Sequence, residues 1–230
     1  GLALVASFLQ IVTGHESALG VIEHQPAKMA AFEAHYETGE LPMYLFGWVD
    51  EPAQAVKAGG ALPKGISRMV VGSPDPLKGL KEYPPEDRPP VQLSFQFYHG
   101  MVAIGFALMA IAMLGAIQCW RGKLFEKRWL LWLMVLAVLG PQLANQFGWF
   151  AAEIGRQPWV VYGWLRTSDG LSAMVGANAV LTSLIMFTVI YLLLFAVFVY
   201  LLNDKIKHAP DDADLEPHGR IAARKAKADQ

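Results

Sequence analysis

Four long runs of this chain contain no Asp, Glu, Lys or Arg, at residues 1–15, 89–120, 129–152 and 170–203. The 19 basic and 20 acidic residues therefore all lie outside these runs. An amphipathic helix of a soluble domain keeps a polar face, whereas about 20 consecutive apolar residues cross a hydrocarbon core about 30 Å thick. The three longer runs reach that length. They predict an integral membrane protein and exclude a single soluble α/β domain.

Composition adds narrower exclusions. The net charge of −1 gives no overall basic field, so nucleic acid is not an expected partner. The single cysteine, Cys119, excludes an internal disulfide and a Cys-rich zinc or iron–sulfur site. Residues 1–14 are apolar but short for a membrane span, and no basic region precedes them as a signal peptide requires. We interpret this segment as the end of a truncated transmembrane helix.

The fold class predicted is an all-α integral membrane protein, because long apolar runs without strand-like alternation must satisfy their backbone groups as helices. It is a polytopic helix bundle with three full transmembrane helices plus the end of a fourth. The full spans are expected at 93–119, 129–152 and 174–202, and a short helix at 26–37. The domain boundaries are 1–14 for the partial helix, 15–92 for a polar loop, 93–203 for the membrane region and 204–230 for a tail expected to be disordered.

Basic residues in the short connections predict the orientation. The segment RGKLFEKR (121–128) contains four Lys/Arg and one Glu, and the tail adds six more basic residues. Both should be cytoplasmic by the positive-inside rule. The loops 15–92 and 153–173 are then expected together on the outer face.

Polar residues inside the second full span form a stripe. At 100° per residue they fall within an arc of about 100°, which we predict to face inward. The stripe consists of Gln142, Asn145, Gln146, Trp149 and Glu153. Interhelical hydrogen bonding explains the amides equally well. A carboxylate at a span terminus can bind metal, relay protons or face water, and the sequence leaves these alternatives open for Glu153.

Met101 is a candidate haem ligand in the first full span. Gly105, Leu108 and Ala112 follow it at i+4, i+7 and i+11 and leave room for a flat ligand. Methionine also fills gaps in apolar cores, which is the alternative explanation. His99 lies about 160° round the helix from Met101 and cannot face the same ligand, so we expect a capping or interface histidine.

The segment GWFAAEIGRQPWVVYGWLRTSDG (148–170) carries the pattern GWF-x-x-E-x-GRQPW. This pattern resembles the signature of subunit I of the cytochrome bd family of quinol oxidases. GHESALGVIEHQPAKMAAFEAHYET (14–38) is similar to the start of that family's quinol-binding loop. GLKEYPPEDRPP followed by FYHGMVAIG (79–105) is similar to the end of the loop and the next helix. The resemblance covers most of residues 1–203, and the short loop places it in the branch that includes cyanide-insensitive oxidases.

The resemblance implies roles for four residues at haem sites. Met101 matches an axial ligand of the haem b558 iron, and Glu153 matches the glutamate at the haem b595 iron. Trp149 matches a tryptophan at the haem pair, so Glu153 and Trp149 are the catalytic candidates beside haem d. Arg156 matches the arginine of GRQPW and is suited to a haem propionate. Anchoring at the lipid headgroup boundary is the alternative role for Arg156.

In the loop, Lys28 and Glu33 match residues implicated in quinol binding. Quinol oxidation releases two protons with two electrons, so a nearby carboxylate is chemically useful. Five helical steps place the two side chains about 140° apart, and charge composition alone favours an ordinary solvated helix face for both. Weaker candidates for the same proton-accepting role are His15, Glu16, His24 and His35.

Two departures from the family pattern stand out. His99 occupies the position where many members have an arginine, which removes a permanent cation and is expected to alter the haem potential. The family's histidine ligands lie in an N-terminal half that residues 1–230 do not contain. The three haems are therefore expected to be shared with that half.

The resemblance implies the C-terminal part of the haem-bearing subunit of an electrogenic quinol:oxygen oxidoreductase. Such an enzyme reduces O2 to water and generates proton motive force in the bacterial cytoplasmic (inner) membrane. Its expected partners are the N-terminal half, subunit II, a small single-span subunit, quinol, O2 and the lipid bilayer. Two alternatives remain at this point. One is a transporter that uses the stripe from Gln142 to Glu153, and the other is a non-catalytic quinone-binding membrane anchor.

Overall fold

The computed structural model describes residues 1–207 except 40, 41, 64, 66–77 and 173. The helices are α1 (Leu2–His24), α2 (Pro26–Phe32), α3 (Val91–Trp120), α4 (Arg128–Leu136), α5 (Gly140–Gly155) and α6 (Ala177–Lys207). Two antiparallel hairpins pair β1 (Met43–Asp50) with β2 (Ala55–Leu62) and β3 (Trp159–Val161) with β4 (Leu165–Arg166). Single 3-10 turns occupy Leu80–Glu82, Pro85–Asp87, Leu124–Glu126 and Ala137–Leu139. Most of the predicted tail lies outside the described residues.

Among the described residues, four helical stretches are long and apolar enough to cross a membrane: Leu2–His24, Pro85–Trp120, Arg128–Gly155 and Ala177–Lys207. The predicted class of an all-α membrane protein is confirmed. Residues 1–171 form one compact unit and residues 172–230 another. In the described part of the second unit lies the helix α6, whose 31 residues give a length of about 46 Å at 1.5 Å per residue.

Helix α1 continues past residue 14, where the sequence analysis expected its end. It has 23 residues and ends at His24, so it has the length of a span. The physical reason for its end is Pro26, because the residue before a proline is disfavoured in the helical region. Gln25 accordingly leaves the helix, with φ −141° and ψ 60°, and α2 begins at Pro26.

Helix α2 is shorter than the predicted helix 26–37. It ends at Phe32, and Ala34 adopts the left-handed region with φ 52°. The backbone N–H of His35 donates to the carbonyl oxygen of Ala30 over 2.8 Å, which closes the turn. The chain therefore reverses direction at residues 33–35, and the side chains of this turn enter the interior.

The hairpin β1–β2 lies in the loop 15–92, where no strand was predicted. Three side chains of α3, spaced one turn apart, bind the backbone of β1. The Gln92 Oε1 accepts from the N–H of Val49 over 2.8 Å, and the Gln96 Nε2 donates to the carbonyl of Gly47 over 2.7 Å. The His99 Nε2 lies 2.8 Å from the carbonyl oxygen of Tyr44. The first turns of α3 therefore pack inside the domain formed by the described residues of the loop 15–92, which we call the loop domain.

The core of the loop domain joins α2, the turn at residue 80, β1 and the start of α3. Its fully buried members include Ala30, Ala31, Leu80 and Phe95. Phe95 packs edge-on against Tyr44, with 6.2 Å between ring centroids. Because Phe95 belongs to α3, this core fixes the loop onto the N-terminal end of a helix that is long enough to span a membrane.

Glycines allow α3 and α5 to approach closely. A Cβ atom on Gly100 would lie 2.6 Å from Cδ2 of Phe147, and one on Gly140 would lie 2.7 Å from Cδ2 of Leu108. The span 128–155 is interrupted by the 3-10 turn Ala137–Leu139. Pro141 explains the interruption, because it donates no backbone hydrogen bond and its ring clashes with the carbonyl four residues before.

The loops 15–92 and 153–173 contact each other, as expected for loops on the same face. The Arg166 guanidinium donates to Oδ1 of Asp87 over 2.5 Å. Arg166 also lies 5.0 Å above the Trp159 ring. The two loops thus form one structured end of the 1–171 unit.

Candidate functional site

The C-terminal turn of α5 carries an ion pair between two predicted site residues. Glu153 and Arg156 lie three residues apart, so they share one face of the helix. The Arg156 guanidinium donates to Oε2 of Glu153, and both side chains are partly exposed. The arginine therefore holds the carboxylate at the end of the span.

The side chain of Lys28, on α2, lies beside the ion pair of Glu153 and Arg156. Gly155 permits this approach, because a Cβ atom there would lie 2.6 Å from Cε1 of Phe32 and 3.3 Å from Cγ of Lys28. The result is a cavity of about 150 Å³, which we call the Lys28 cavity. Its lining residues are Gln25, Lys28, Ala152, Glu153, Arg156, Trp159, Val160 and Tyr162.

The Lys28 cavity is rich in hydrogen-bond donors and has an excess of positive charge. Burial and the neighbouring Arg156 lower the pKa of Lys28, while Glu153 acts in the opposite direction. Nε of Arg156 and Nε1 of Trp159 are buried, and neither finds a hydrogen-bond partner among the described residues. Buried donors of this kind are normally satisfied. The arrangement suits an anionic group such as a carboxylate.

A second group of titratable residues, the Glu33 cluster, lies between the loop and α3. It consists of Glu33, His35, Tyr44, Tyr98 and His99. Only 3% of Glu33 is exposed, so the solvated helix face that composition favoured for this residue is wrong. The turn after Phe32 explains the burial, because it carries the side chain of Glu33 against α3.

Burial dominates the protonation of the Glu33 cluster. It raises the pKa of Glu33 to about 8, although the backbone N–H of Tyr44 hydrogen-bonds the carboxylate and opposes the shift. Burial also lowers the pKa of His35 to about 4, and its Nε2 lies 2.9 Å from the carbonyl oxygen of Pro42. Near neutral pH the Glu33 carboxyl is therefore mostly protonated, and His35 is neutral.

Lys28 and Glu33, which the sequence analysis grouped together, belong to these two different sites. Phe32 lies between them. Its ring stacks on Tyr98 with 4.7 Å between centroids, and Nζ of Lys28 lies 5.7 Å from the Phe32 centroid. Five aromatic residues at these sites were not predicted from the sequence: Phe32, Tyr44, Tyr98, Trp159 and Tyr162. Their aromatic character near the ends of the spans was the available signal.

The weaker loop candidates are divided between α1 and the Glu33 cluster. His15 is partly buried on α1, while Glu16 and His24 are exposed there. His35 alone joins Glu33, and its imidazole is 3% exposed.

The polar stripe of α5 does not face the interior of the 1–171 unit. Gln142, Asn145, Gln146 and Trp149 are all exposed, and Trp149 retains 57% of its accessible surface. The opposite face carries Phe147, Gly148 and Ala151, which allow close packing on α3 and α2. Within this unit the small residues form the packed face of α5 and the stripe is left uncovered, so its inward orientation in the complete bundle stays a prediction.

Met101 faces α5 across Gly148. A Cβ atom on Gly148 would lie 2.7 Å from the Met101 sulfur. One turn further along α3, no described residue places a heavy atom within 4 Å of a Cβ built on Gly105. A partly buried thioether beside open space remains a suitable position for a flat ligand. His99 is an interface histidine between α3 and β1, as the sequence analysis expected.

Comparison with known proteins adds independent findings. Residues 1–210 match the family described as cytochrome bd terminal oxidase subunit I. The cytochrome bd ubiquinol oxidase subunit 1 of Bacillus subtilis (strain 168) is 34% identical over 211 residues, which cover 85% of this chain and 44% of that protein. The cytochrome bd-II ubiquinol oxidase subunit 1 of Escherichia coli (strain K12) is 32% identical over 122 residues, which cover 53% of this chain and 24% of that protein.

A solved structure agrees with the sequence comparison. The bd oxidase from Geobacillus thermodenitrificans superposes with a TM-score of 0.71 at 31% identity. The match covers 90% of this chain and 48% of that chain, so the protein described here spans about half the length of its structural relative. The family match extends over both candidate sites and all four membrane-capable helices. The chain belongs to the cytochrome bd terminal oxidase subunit I family.

Proposed function

We propose that this chain forms the part of a terminal oxidase subunit that oxidises quinol and contributes to the haem sites at which O2 is reduced to water. The observation that carries the proposal is the Lys28 cavity. It brings a lysine of the loop that resembles the quinol-binding loop together with Glu153 and Arg156 of the GRQPW helix. This cavity supports the proposal, because residues that the resemblance assigns to quinol and to haem line it together.

Glu33 is suited to accept a proton from quinol. A general base works best when its pKa lies near the operating pH, and the pKa of Glu33 is about 8. The carboxylate form takes the proton of a quinol hydroxyl, and the buried position retains it until the site opens to water. Lys28 supplies a hydrogen-bond donor for a quinone oxygen from the other side of Phe32.

Haem groups fit the residues that the resemblance assigns to them. The open space beside Gly105 accommodates a flat ring near Met101, and the unpartnered donors of Arg156 and Trp159 suit a propionate. Met101 would ligate the haem b558 iron, Glu153 would hold the haem b595 iron, and Trp149 would lie beside the haem pair. When bound, haem supplies one-electron transfer and O2 chemistry. Haem d and the remaining ligands would come with the rest of the subunit.

The proposal includes an assembly and an orientation. Subunit II, the remainder of subunit I and a small single-span subunit would cover the exposed apolar faces in the bacterial cytoplasmic membrane. The basic connection at 121–128 supports an orientation with the loop 15–92 outside and the C-terminus in the cytoplasm. Protons released from quinol then appear outside while those used for water come from the cytoplasm, which makes the reaction electrogenic.

The experiment uses membranes that contain the complete oxidase with Lys28→Met. We expect quinol-dependent O2 consumption to fall about tenfold, since a charge-assisted hydrogen bond is lost. The matched control is Lys57→Met, because Lys57 is an exposed lysine of the same loop that pairs with Asp50. Equal rates for the two variants would contradict the role of the Lys28 cavity.

Haem difference spectra of the same membranes separate the alternatives. A transporter would show no haem bands. A non-catalytic quinone anchor would show b-type haem without O2 consumption. Either result in the unsubstituted protein overturns the proposed function.

A further inference from the structure

His99 occupies the junction between α3 and β1 in a fixed orientation. Its Nε2 lies 2.8 Å from the carbonyl oxygen of Tyr44, and its Nδ1 lies 2.9 Å from that of Phe95. The imidazole also stacks on the Phe95 ring, with 4.0 Å between centroids. With 9% of its surface exposed, the residue has little freedom to rotate.

The backbone of Tyr44 connects His99 to Glu33. The backbone N–H of Tyr44 stabilises the charged form of the Glu33 carboxyl, and the Tyr44 carbonyl lies within hydrogen-bond distance of His99 Nε2. In an antiparallel strand the N–H and C=O of one residue point to the same side, so one residue can serve both partners. Oε2 of Glu33 lies 3.8 Å from His99 Nε2, and no described residue hydrogen-bonds that oxygen.

We infer that His99 is a positioning residue for Glu33 in quinol oxidation, acting through the backbone of Tyr44; this inference rests on the proposed function. By holding the Tyr44 carbonyl, His99 keeps the Tyr44 N–H directed at the Glu33 carboxylate. A carboxylate that accepts a proton must be held within hydrogen-bond reach of its donor. Without His99 the end of β1 moves, and the orientation of the carboxylate is lost.

Gln96 provides a matched comparison for this role. It donates to the carbonyl of Gly47 over 2.7 Å, one helical turn before His99 and on the same strand. Gln96 therefore also anchors β1 to α3, but its hydrogen bond does not involve Tyr44. If His99 only helped to dock β1 onto α3, substitution of Gln96 and substitution of His99 would lower kcat/KM for quinol in the same way. If His99 positions Glu33, only the effect of the His99 substitution would depend on Glu33.

The test compares His99→Gln with His99→Asn in membranes that contain the complete oxidase. The amide nitrogen of glutamine corresponds to Nε2 and reaches the Tyr44 carbonyl, while that of asparagine corresponds to Nδ1 and does not. We expect kcat/KM for quinol to fall about tenfold in His99→Asn, the effect of losing one well-placed hydrogen bond, and to be retained in His99→Gln. The low-spin haem b band should be unchanged in both.

A double-mutant cycle then tests whether the effect passes through Glu33. In a Glu33→Gln background, His99→Asn should cause no further loss, whereas Gln96→Leu should act independently of Glu33. Additive losses of kcat/KM for His99→Asn and Glu33→Gln would overturn the inference. An altered low-spin haem b band in either His99 variant would also overturn it. So would an equal coupling of Gln96→Leu to Glu33→Gln. Failure of the proposed function is distinguishable, because the unsubstituted membranes would then lack haem bands or quinol-dependent O2 consumption.

Discussion

The carboxyl groups of Glu33 and Glu153 have different environments at the two candidate sites. Glu33 is enclosed by the loop core and has one backbone donor, so desolvation raises its pKa to about 8. Glu153 is partly exposed and ion-paired with Arg156. Two carboxyl groups in one small region are thus suited to different tasks. The first can exchange a proton near neutral pH, and the second is held by a permanent cation.

The pH dependence of quinol oxidation follows from Glu33. Only the carboxylate accepts a proton, so the rate should rise with pH through about 8, the pKa of Glu33 in the folded protein. Glu33→Gln should slow quinol oxidation about a hundredfold, the usual contribution of a general base, and remove this rise. The haem complement should be retained. The measurement is the steady-state rate of O2 consumption at pH values from 6 to 9.5, a range chosen to bracket that pKa.

Glu37→Gln is the matched control for this pH profile, because Glu37 is an exposed glutamate of the same loop that pairs with Lys81. The groups that face Glu33 are His99, Tyr98 and the backbone N–H of Tyr44. If Glu33→Gln kept the rise with pH, the titrating group would be another residue.

A second prediction at the residue scale concerns Met101. In the complete oxidase, Met101→Leu should abolish the low-spin haem b signal, because leucine keeps the apolar volume but has no sulfur to ligate iron. Membrane insertion should be intact, as checked by the amount of protein in the membrane fraction. Met109→Leu, on the same helix, is the control and should keep the signal. An unchanged low-spin band in Met101→Leu would remove Met101 from the ligand set.

At the scale of the elements, close helix packing decides which faces are buried. Glycines on α3 and α5 stand opposite large side chains, namely Phe147 against Gly100 and Leu108 against Gly140. Phe147 itself packs edge-on against Phe97, with 5.6 Å between centroids. This contact leaves the ring little room to move aside. The stripe of larger polar residues on α5 consequently lies on the other face.

Gly100→Ala should therefore destabilise the protein by about 1–3 kcal/mol, the usual cost of overpacking a filled site. The added Cβ would lie 2.6 Å from Cδ2 of Phe147. Thermal unfolding of the detergent-solubilised protein measures the effect. Gly14→Ala is the control, since a Cβ at that position of α1 meets no heavy atom within 4 Å in the part of the chain that the structure describes. Equal stabilities of the two variants would show that the α3–α5 contact is not tight.

At the scale of the whole molecule, the loop domain is built onto the N-terminal end of α3. The hairpin β1–β2 binds the first turns of α3, and Arg166 connects the loops 15–92 and 153–173 through Asp87. The 30-residue helix α3 is about 45 Å long, which exceeds the hydrocarbon thickness of about 30 Å. Its excess length is the part that enters the loop core and places the Glu33 cluster beside the membrane.

Local sequence patterns were sufficient to predict the membrane class, the three longer spans and the family. Charge-free runs of sufficient length require helices in lipid, and the GRQPW segment is specific enough to identify relatives. The same sequence also predicted that His99 lies at an interface. These properties depend on local composition and on short motifs, so they can be read without knowing which distant residues meet.

The grouping of the candidate residues, in contrast, depends on the tertiary fold. Pro26 separates α2 from α1, Ala34 reverses the chain, and Gly155 admits Lys28 and Phe32 to the end of α5. The contacts of Gly155 join residues more than 100 positions apart, and they depend on the shape of a partner that composition does not reveal. For this reason Lys28 lies at the same site as Glu153. Glu33, which was expected on a solvated helix face, is instead a buried acid beside strand β1, which no local pattern had predicted.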